Sequence, residues 1–355
     1  MFLIESSDQL QDFLENGIAD NEKFVAVDTE FIREENLEKP LLCLIQIATA
    51  NGVFIIDPMA IDIFPLKKIF ENSSLTKVFH SADQDLEILS LAGINTKNFY
   101  DTQLYEAVLS VNDSISYQSI VFRYLNKEIS KTFARSNWKK RPLQRKQLLY
   151  SANDVFYLRE VYEKQLEKLT ACGRRNWLDD ELKQLFPKEK EVPVTLSKNN
   201  LEIYNQLIKW REEKTQEKNI SSESIVKNHV IKAICQRGVN FVRNIKNSRN
   251  VRNANFREFL FFAEKIAEKL GIKEKPTEQN IAVNLLRTLR EMCSREHNVA
   301  PSIIATSKDL EKLIAGDRNV KCLFHWRNEI FGKNALQLLE GKVSLHIRES
   351  KVVIA

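Results

Sequence analysis

Glycine is scarce in this chain. Its 355 residues include only 9 glycines and 8 prolines, and the two glycines nearest in sequence, Gly332 and Gly341, stand nine positions apart. Neither G-x-G-x-x-G nor G-x-x-x-x-G-K-[ST] can be written at that spacing, which excludes the glycine-rich loops that cradle phosphate through backbone N–H groups. Collagen-like and low-complexity classes fall with them. Five cysteines (Cys43, Cys172, Cys235, Cys293, Cys322) are scattered without a C-x-x-C pair. That pattern argues for reduced thiols, a cytoplasmic location and no cysteine-based zinc site. No apolar run approaches the ~18 residues of a membrane span, and MFLIESSDQL lacks a basic secretory leader, so no membrane partner is expected.

What is present is charge, unevenly spread. The net +5 conceals an acidic start: residues 1–100 carry 7 Lys and Arg against 17 Asp and Glu, whereas residues 201–355 carry 28 against 18. Two accounts fit this asymmetry, namely metal-binding acids beside a polyanion-binding surface, or solvated helices of differing charge.

The first ~165 residues alternate strand and helix patterns. FVAVDTEFI (24–32), LLCLIQIAT (41–49) and VFIID (53–57) read as strands, the last two joined as a hairpin at Asn51-Gly52. A helix is expected around 64–72, a strand at TKVFH (76–80), an amphipathic helix closed by Gly93, and a last short strand at NFYDT (98–102), after which the chain reads as helix. The pattern predicts an α/β layer with a mixed sheet. Charged stretches with Pro187 and Pro193 mark a linker near 169–198, and no convincing strand is found beyond 200. A shift of 79 positions aligns Leu207 with Leu286, Arg211 with Arg290, Ile225 with Ile304 and Ile231 with Leu310, a faint repeat that divides the helical part near 275.

Three acidic sites stand out. Asp28 and Glu30, at i and i+2 near a strand end, project from one face, and two such carboxylates repel unless a cation lies between them. Oxygen ligands suit magnesium or manganese; the alternative is a strand running into a solvated loop. Asp85 sits in the first turns of a helix, with Asp83 nearby as a candidate cap and His80 at the preceding strand end, as readily structural as a ligand. Tyr150 and Asp154, at i and i+4, share one helix face. Before that helix, KTFARSNWKKRPLQRK (131–146) holds seven Lys and Arg, no acid, and interleaved Phe133 and Trp138. This composition suits a single-stranded nucleic-acid groove, or simply a solvated basic loop.

The segments VAVDTEFIREEN, LCLIQIATANGVFIIDP, KVFHSADQDLEIL and ARSNWKKRPLQRKQLLYSANDVFYL resemble, in order and spacing, the motifs of the ribonuclease D family. The helical remainder is similar to HRDC modules of that family, with LEIYNQLIKWREEKTQEKNISSESIVKNHVIKAI in the first and NVAPSIIATSKDLEKLI with LFHWRNEIFG in the second. The resemblance implies a ribonuclease H-like mixed sheet flanked by helices, followed by one or two all-α HRDC domains. It places a 3′-5′ exonuclease domain at 1–168, a linker at 169–198, a first HRDC domain at 199–275 and a second, divergent one at 276–355. Asp28, Glu30, Asp85 and Asp154 would be metal ligands for two divalent ions, Mg2+ or Mn2+, and Tyr150 would orient the attacking water; the choice between Asp83 and Asp85 goes to Asp85. Substrate contacts would include Thr29, His80, Lys131, Arg135, Trp138, Lys140 and Arg141. The substrate implied is RNA with a free 3′ end, including transfer-RNA precursors, acted on by a monomer that releases nucleoside 5′-monophosphates. Asn137 departs from the family's usual Asp, and YSAND from the commoner YAAAD. A DNA exonuclease shares the same acids, and a non-catalytic RNA-binding scaffold would use the basic helical half.

Overall fold

Dense β-branched and aliphatic residues give the first half its sheet. In the computed structural model, which describes residues 1–33, 40–130, 132–133, 136–178, 198–218, 225–237, 239–246, 254–269 and 277–355, six strands lie in the order β1-β4-β3-β2-β5-β6. These are β1 (Phe2–Ile4), β2 (Phe24–Ile32), β3 (Leu41–Thr49), β4 (Gly52–Ile56), β5 (Thr76–Phe79) and β6 (Phe99–Asp101). β3 runs antiparallel to β2 and β4, while β2, β5 and β6 are mutually parallel, which makes the expected mixed sheet. The register pairs Asp28 with Gln46 and Glu30 with Leu44, and slips by a bulge directly after Glu30. Bulges re-aim side chains at sheet ends. The strand β1, parallel to β4, is an addition to the sequence reading: three residues are too few to display a period.

Helices cover both faces. One face packs on α1 (Ser7–Asn16), α2 (Lys67–Phe70) and α3 (Asp83–Leu91) through Leu10, Phe13, Phe70, Leu86 and Leu89. The other carries α4 (Thr102–Ala107), α5 (Tyr117–Leu125) and the 27-residue α6 (Arg145–Ala171). Along α6, Ser151, Val155, Leu158, Tyr162, Gln165 and Leu169 are buried, the 3.6-residue stripe of a helix laid on a sheet. Arg159 fastens the helix to strand ends by donating to the carbonyls of Phe24 (3.0 Å) and Ala48 (3.2 Å) and to Glu22 (2.8 Å). Buried Glu106 ties α4, α5 and α6 together, accepting from Arg123, from the Tyr124 hydroxyl (2.7 Å) and from Gln165 (3.0 Å). Between α5 and α6 the described residues form turns, not the helix the sequence suggested.

The chain forms two compact units, one of Met1–Lys188 with Leu285–Ala355, the other of Glu189–Asn284. In the first, residues from Leu285 onward pack beside α4. Ala300 N–H donates to the Ala107 carbonyl (2.7 Å), the Asn298 side chain to Leu109 (2.8 Å) and Arg174 to Val108 (2.8 Å), so carbonyls at the open end of α4 are satisfied by distant parts of the chain. The expected linker begins with residues that pack: Leu169 and Leu178 are buried, and Trp177 stacks on Trp326 at 4.2 Å; residues 179–197 lie outside the described residues. Past the helices, β7 (Leu345–Arg348) and β8 (Lys351–Ile354) form an antiparallel hairpin where no strand was expected. Its turn residues Glu349 and Ser350 both have positive φ, at 50° and 63°, as a tight hairpin needs. The second unit is helical, built on Ile203, Leu207, Ile225, Ile231, Ile234, Phe259 and Leu260.

Candidate active site

Three elements deliver the acids. Alternation along β2 points Asp28 and Glu30 to the α6 side of the sheet, and Asp154 comes down from α6 one turn after Tyr150. One carboxylate oxygen from each of Asp28, Glu30 and Asp154 can be chosen so that all lie within 4.8 Å of one another. Asp85 is buried in the first turn of α3, where it accepts a 2.5 Å hydrogen bond from the Thr29 hydroxyl. Asp83, two residues earlier, is exposed, so burial separates the two candidates. The turn before α3 is held by Asp101, whose carboxylate accepts from the N–H groups of Ser81 and Ala82 (2.9 Å each) and caps α4. Ser81 sits there at φ 66°.

Asp28, Glu30 and Asp154 line a pocket of about 230 Å³ together with Thr29, His80, Tyr117, Gln118, Tyr150 and Leu158, with Asp85 behind Thr29. Burial, and then the Asp154 charge, hold the Asp28 carboxyl far above the usual range. Glu30 is pushed up to about 10, by burial first and then by Asp28, Asp154 and Asp85. Asp154 rises to about 7 by burial, partly offset by its hydrogen bond from Tyr150. Asp85 is raised by burial and by Asp28. Crowded carboxylates of this kind must either take up protons or share a cation. Among the described residues the pocket lining contributes no Lys or Arg, so an all-oxygen donor set facing an open pocket fits a hard divalent cation.

The other residues singled out in the sequence divide. Tyr150 reaches the pocket, its phenol raised further above its ordinary range by burial and by Asp154. Thr29 is there, committed to Asp85. His80 also lines the pocket, but burial lowers its pKa to about 4. Neutral at ordinary pH, it donates from Nε2 to the Ile115 carbonyl (3.0 Å), and its Nδ1 lies 2.9 Å from the Thr102 hydroxyl, a structural arrangement.

Within the basic segment the expectation needs correcting at two positions. Trp138 is only 2% exposed and packs 6.2 Å from the Tyr150 ring, bracing it from behind instead of offering a stacking face. Arg141 is bound to buried Asp57 by two bonds of 2.5 and 2.7 Å and also donates to the carbonyls of Trp138 and Cys43, so its guanidinium is spent within the protein. Lys140 is exposed. Lys131 and Arg135 lie outside the described residues. Sequence reasoning missed Tyr117, whose hydroxyl donates to the Asn153 carbonyl (2.8 Å) beside Asp154, and Gln118. Neither falls in a motif; both open an ordinary amphipathic helix.

A mixed sheet whose central strand and crossing helix bring acids into one pocket, with a tyrosine a turn from the last acid, defines the class of 3′-5′ exonucleases, and the model of the family described as "3'-5' exonuclease" matches residues 1–170. Over nearly its full length the chain is 34% identical to ribonuclease D of Bartonella henselae, covering 94% of this chain and 89% of that one. It is 33% identical to ribonuclease D of Zymomonas mobilis, covering 93% and 92%. The crystal structure of Escherichia coli RNase D superposes with a TM-score of 0.67 at 22% identity, covering 96% of this chain and 98% of that one, which extends the likeness of fold to the helical part. The chain belongs to the ribonuclease D family of 3′-5′ exoribonucleases.

Proposed function

We propose that Asp28, Glu30, Asp85 and Asp154 bind two divalent cations, Mg2+ or Mn2+, and that the pocket hydrolyses the last phosphodiester of an RNA 3′ end to release nucleoside 5′-monophosphates. The observation that carries this reading is the convergence of three carboxylate oxygens within 4.8 Å in a pocket lined, among the described residues, by no Lys or Arg. Divalent cations supply Lewis acidity there, activating water and stabilising the leaving oxygen. Asp28, with Glu30 and Asp154, forms the converging donor set; Asp85, oriented by Thr29, adds the fourth carboxylate. Tyr150 remains protonated at neutral pH, because burial and nearby acids raise its pKa. With its proton on the Asp154 carboxylate, it orients the attacking water by accepting at its hydroxyl oxygen and does not serve as the base. Exposed Lys140 and the basic residues around it attract the phosphate backbone on the approach. Transfer-RNA precursors with 3′ trailers are the substrates this reading favours, acted on by a cytoplasmic monomer.

The test is Asp28→Asn, which keeps the shape and removes one anionic ligand. Release of mononucleotides from 3′-labelled RNA in Mg2+ or Mn2+ is expected to drop by at least about a thousand-fold, on the order of the loss when a group central to transition-state charge stabilisation is removed, while the protein stays folded. Wild-type activity in the folded variant overturns the assignment.

A further inference from the structure

Hydrogen-bonding capacity in the pocket is almost fully committed within the protein. Thr29 spends its hydroxyl proton on Asp85, Tyr117 on the Asn153 carbonyl and Tyr150 on Asp154, and both ring nitrogens of His80 are engaged. The carboxylates are acceptors only. Gln118 is the exception: half-buried in the first turn of α5, next to Tyr117, it lines the same pocket, and its amide has no partner among the described residues.

We infer that Gln118 is a substrate-binding residue that reads the ribose of the 3′-terminal nucleotide, through its 2′-hydroxyl. This rests on the pocket being the exonuclease centre proposed above. A nucleotide whose 5′-phosphate lies at the carboxylates has its ribose bonded directly to that phosphate, so a side chain lining the same pocket is placed to meet the sugar. A side-chain amide both donates and accepts, and so does a ribose hydroxyl. A phosphate oxygen only accepts and would leave the amide's own acceptor unmatched, whereas a ribose hydroxyl meets both halves of it. Reading a base edge would impose a sequence preference that an enzyme removing successive nucleotides cannot use. A ribose contact tells RNA from DNA while leaving every base acceptable.

The experiment compares two RNA oligonucleotides of one sequence, ending in a ribonucleotide or in its 2′-deoxy counterpart, digested in Mg2+ by the full-length wild type and by Gln118→Ala and Gln118→Met. Initial release of the terminal nucleotide gives kcat/KM for each end. A site built to hydrogen-bond a substrate hydroxyl discriminates strongly against the analogue that lacks it. The wild type is therefore expected to favour the ribose end by about ten-fold or more, and both variants to bring that ratio near one, mainly by slowing the ribose end. Variants that keep the wild-type ratio, or lose rate equally on both ends, overturn the role of Gln118, as does a wild type that does not discriminate. A wild type that releases nucleotide from neither end overturns the exonuclease reading of the pocket, and this inference with it, which separates the two failures.

Discussion

The Thr29 hydroxyl donates a 2.5 Å hydrogen bond to the Asp85 carboxylate across 56 residues of sequence, joining strand β2 to the first turn of α3 inside the protein. Thr29 is thereby a positioning group for the one acid that stands apart from the converging three. Thr29→Val keeps the shape and removes the bond. Loss of a group that orients a metal ligand typically costs about 10–100-fold in metal affinity. The expected result is a folded enzyme whose Mg2+ half-saturation for nucleotide release rises by about that factor, checked by metal titration of the initial rate.

The carboxylates predict a coupling between pH, metal and stability. Glu30 near 10 and Asp154 near 7 are raised above their unfolded values by burial and, for Glu30, also by neighbouring charge. The native state therefore binds more protons than the unfolded chain above about pH 4.5, and stability falls as pH rises toward those values. In chelator, the melting temperature is expected to fall between pH 5 and pH 8. Added Mg2+ should restore it more at pH 8 than at pH 5, because the cation favours the ionised form and competes with protons. Thermal melts across that range, with and without chelator, check both signs.

Arg141 tests whether the basic segment is a single functional surface. Removing one partner of a largely buried ion pair leaves the other charge uncompensated, at a cost of about 3–5 kcal/mol. Arg141→Ala is expected to destabilise the protein by about that amount, since Asp57 is 1% exposed. Lys140→Ala should leave stability unchanged and reduce the salt dependence of RNA binding by about one phosphate contact. Urea unfolding and RNA titrations at several salt concentrations separate the two.

Arg174 is expected to act as a fastener of the first compact unit. It donates to the carbonyls of Val108 (2.8 Å) and His297 (2.6 Å) and stacks over Trp177. Arg174→Ala strands both carbonyls, a loss of about 1–3 kcal/mol. Limited proteolysis should then cut earlier within 285–355 than in the wild type, read by mass spectrometry of the fragments.

The faint 79-residue repeat gains physical content in the folded chain. Arg211 and Arg290, both largely buried, each donate through Nη1 to a carbonyl fifteen residues downstream, Val226 at 3.1 Å and Ala305 at 2.8 Å. Leu207 and Leu286, Ile225 and Ile304, and Ile231 and Leu310 are likewise buried in equivalent positions. The four aligned pairs thus share burial, and the two arginines share a bonding pattern, as expected where buried positions tolerate few residue types.

Much of the site was legible because it follows local geometry. Asp28 with Glu30 obeys the two-residue period of a strand, and Tyr150 with Asp154 the four-residue reach of a helix, so their pairing needs no knowledge of the fold. Asp83 and Asp85 could not be separated on such grounds, because both suit a first helical turn; burial decides between them. Trp138 and Arg141 misled for the opposite reason. A tract of basic and aromatic residues reads as one surface, yet the turn around cis Arg141-Pro142 coexists with a buried indole and a guanidinium anchored on Asp57. The hairpin at 345–354 lacked the Asn-Gly or Asp-Gly turn that would have announced it.

By itself, then, the sequence determined which residues could carry charge in pairs, where the sheet would form, and that phosphate would be handled by acids and not by glycine loops, since these depend on residue type and short-range periodicity. Only the tertiary structure decided which acids converge, that His80, Thr29 and Tyr117 have no donor to spare, and that Gln118 has one unspent among the described residues. Those outcomes turn on which distant groups burial brings within hydrogen-bonding distance, and no local pattern encodes that.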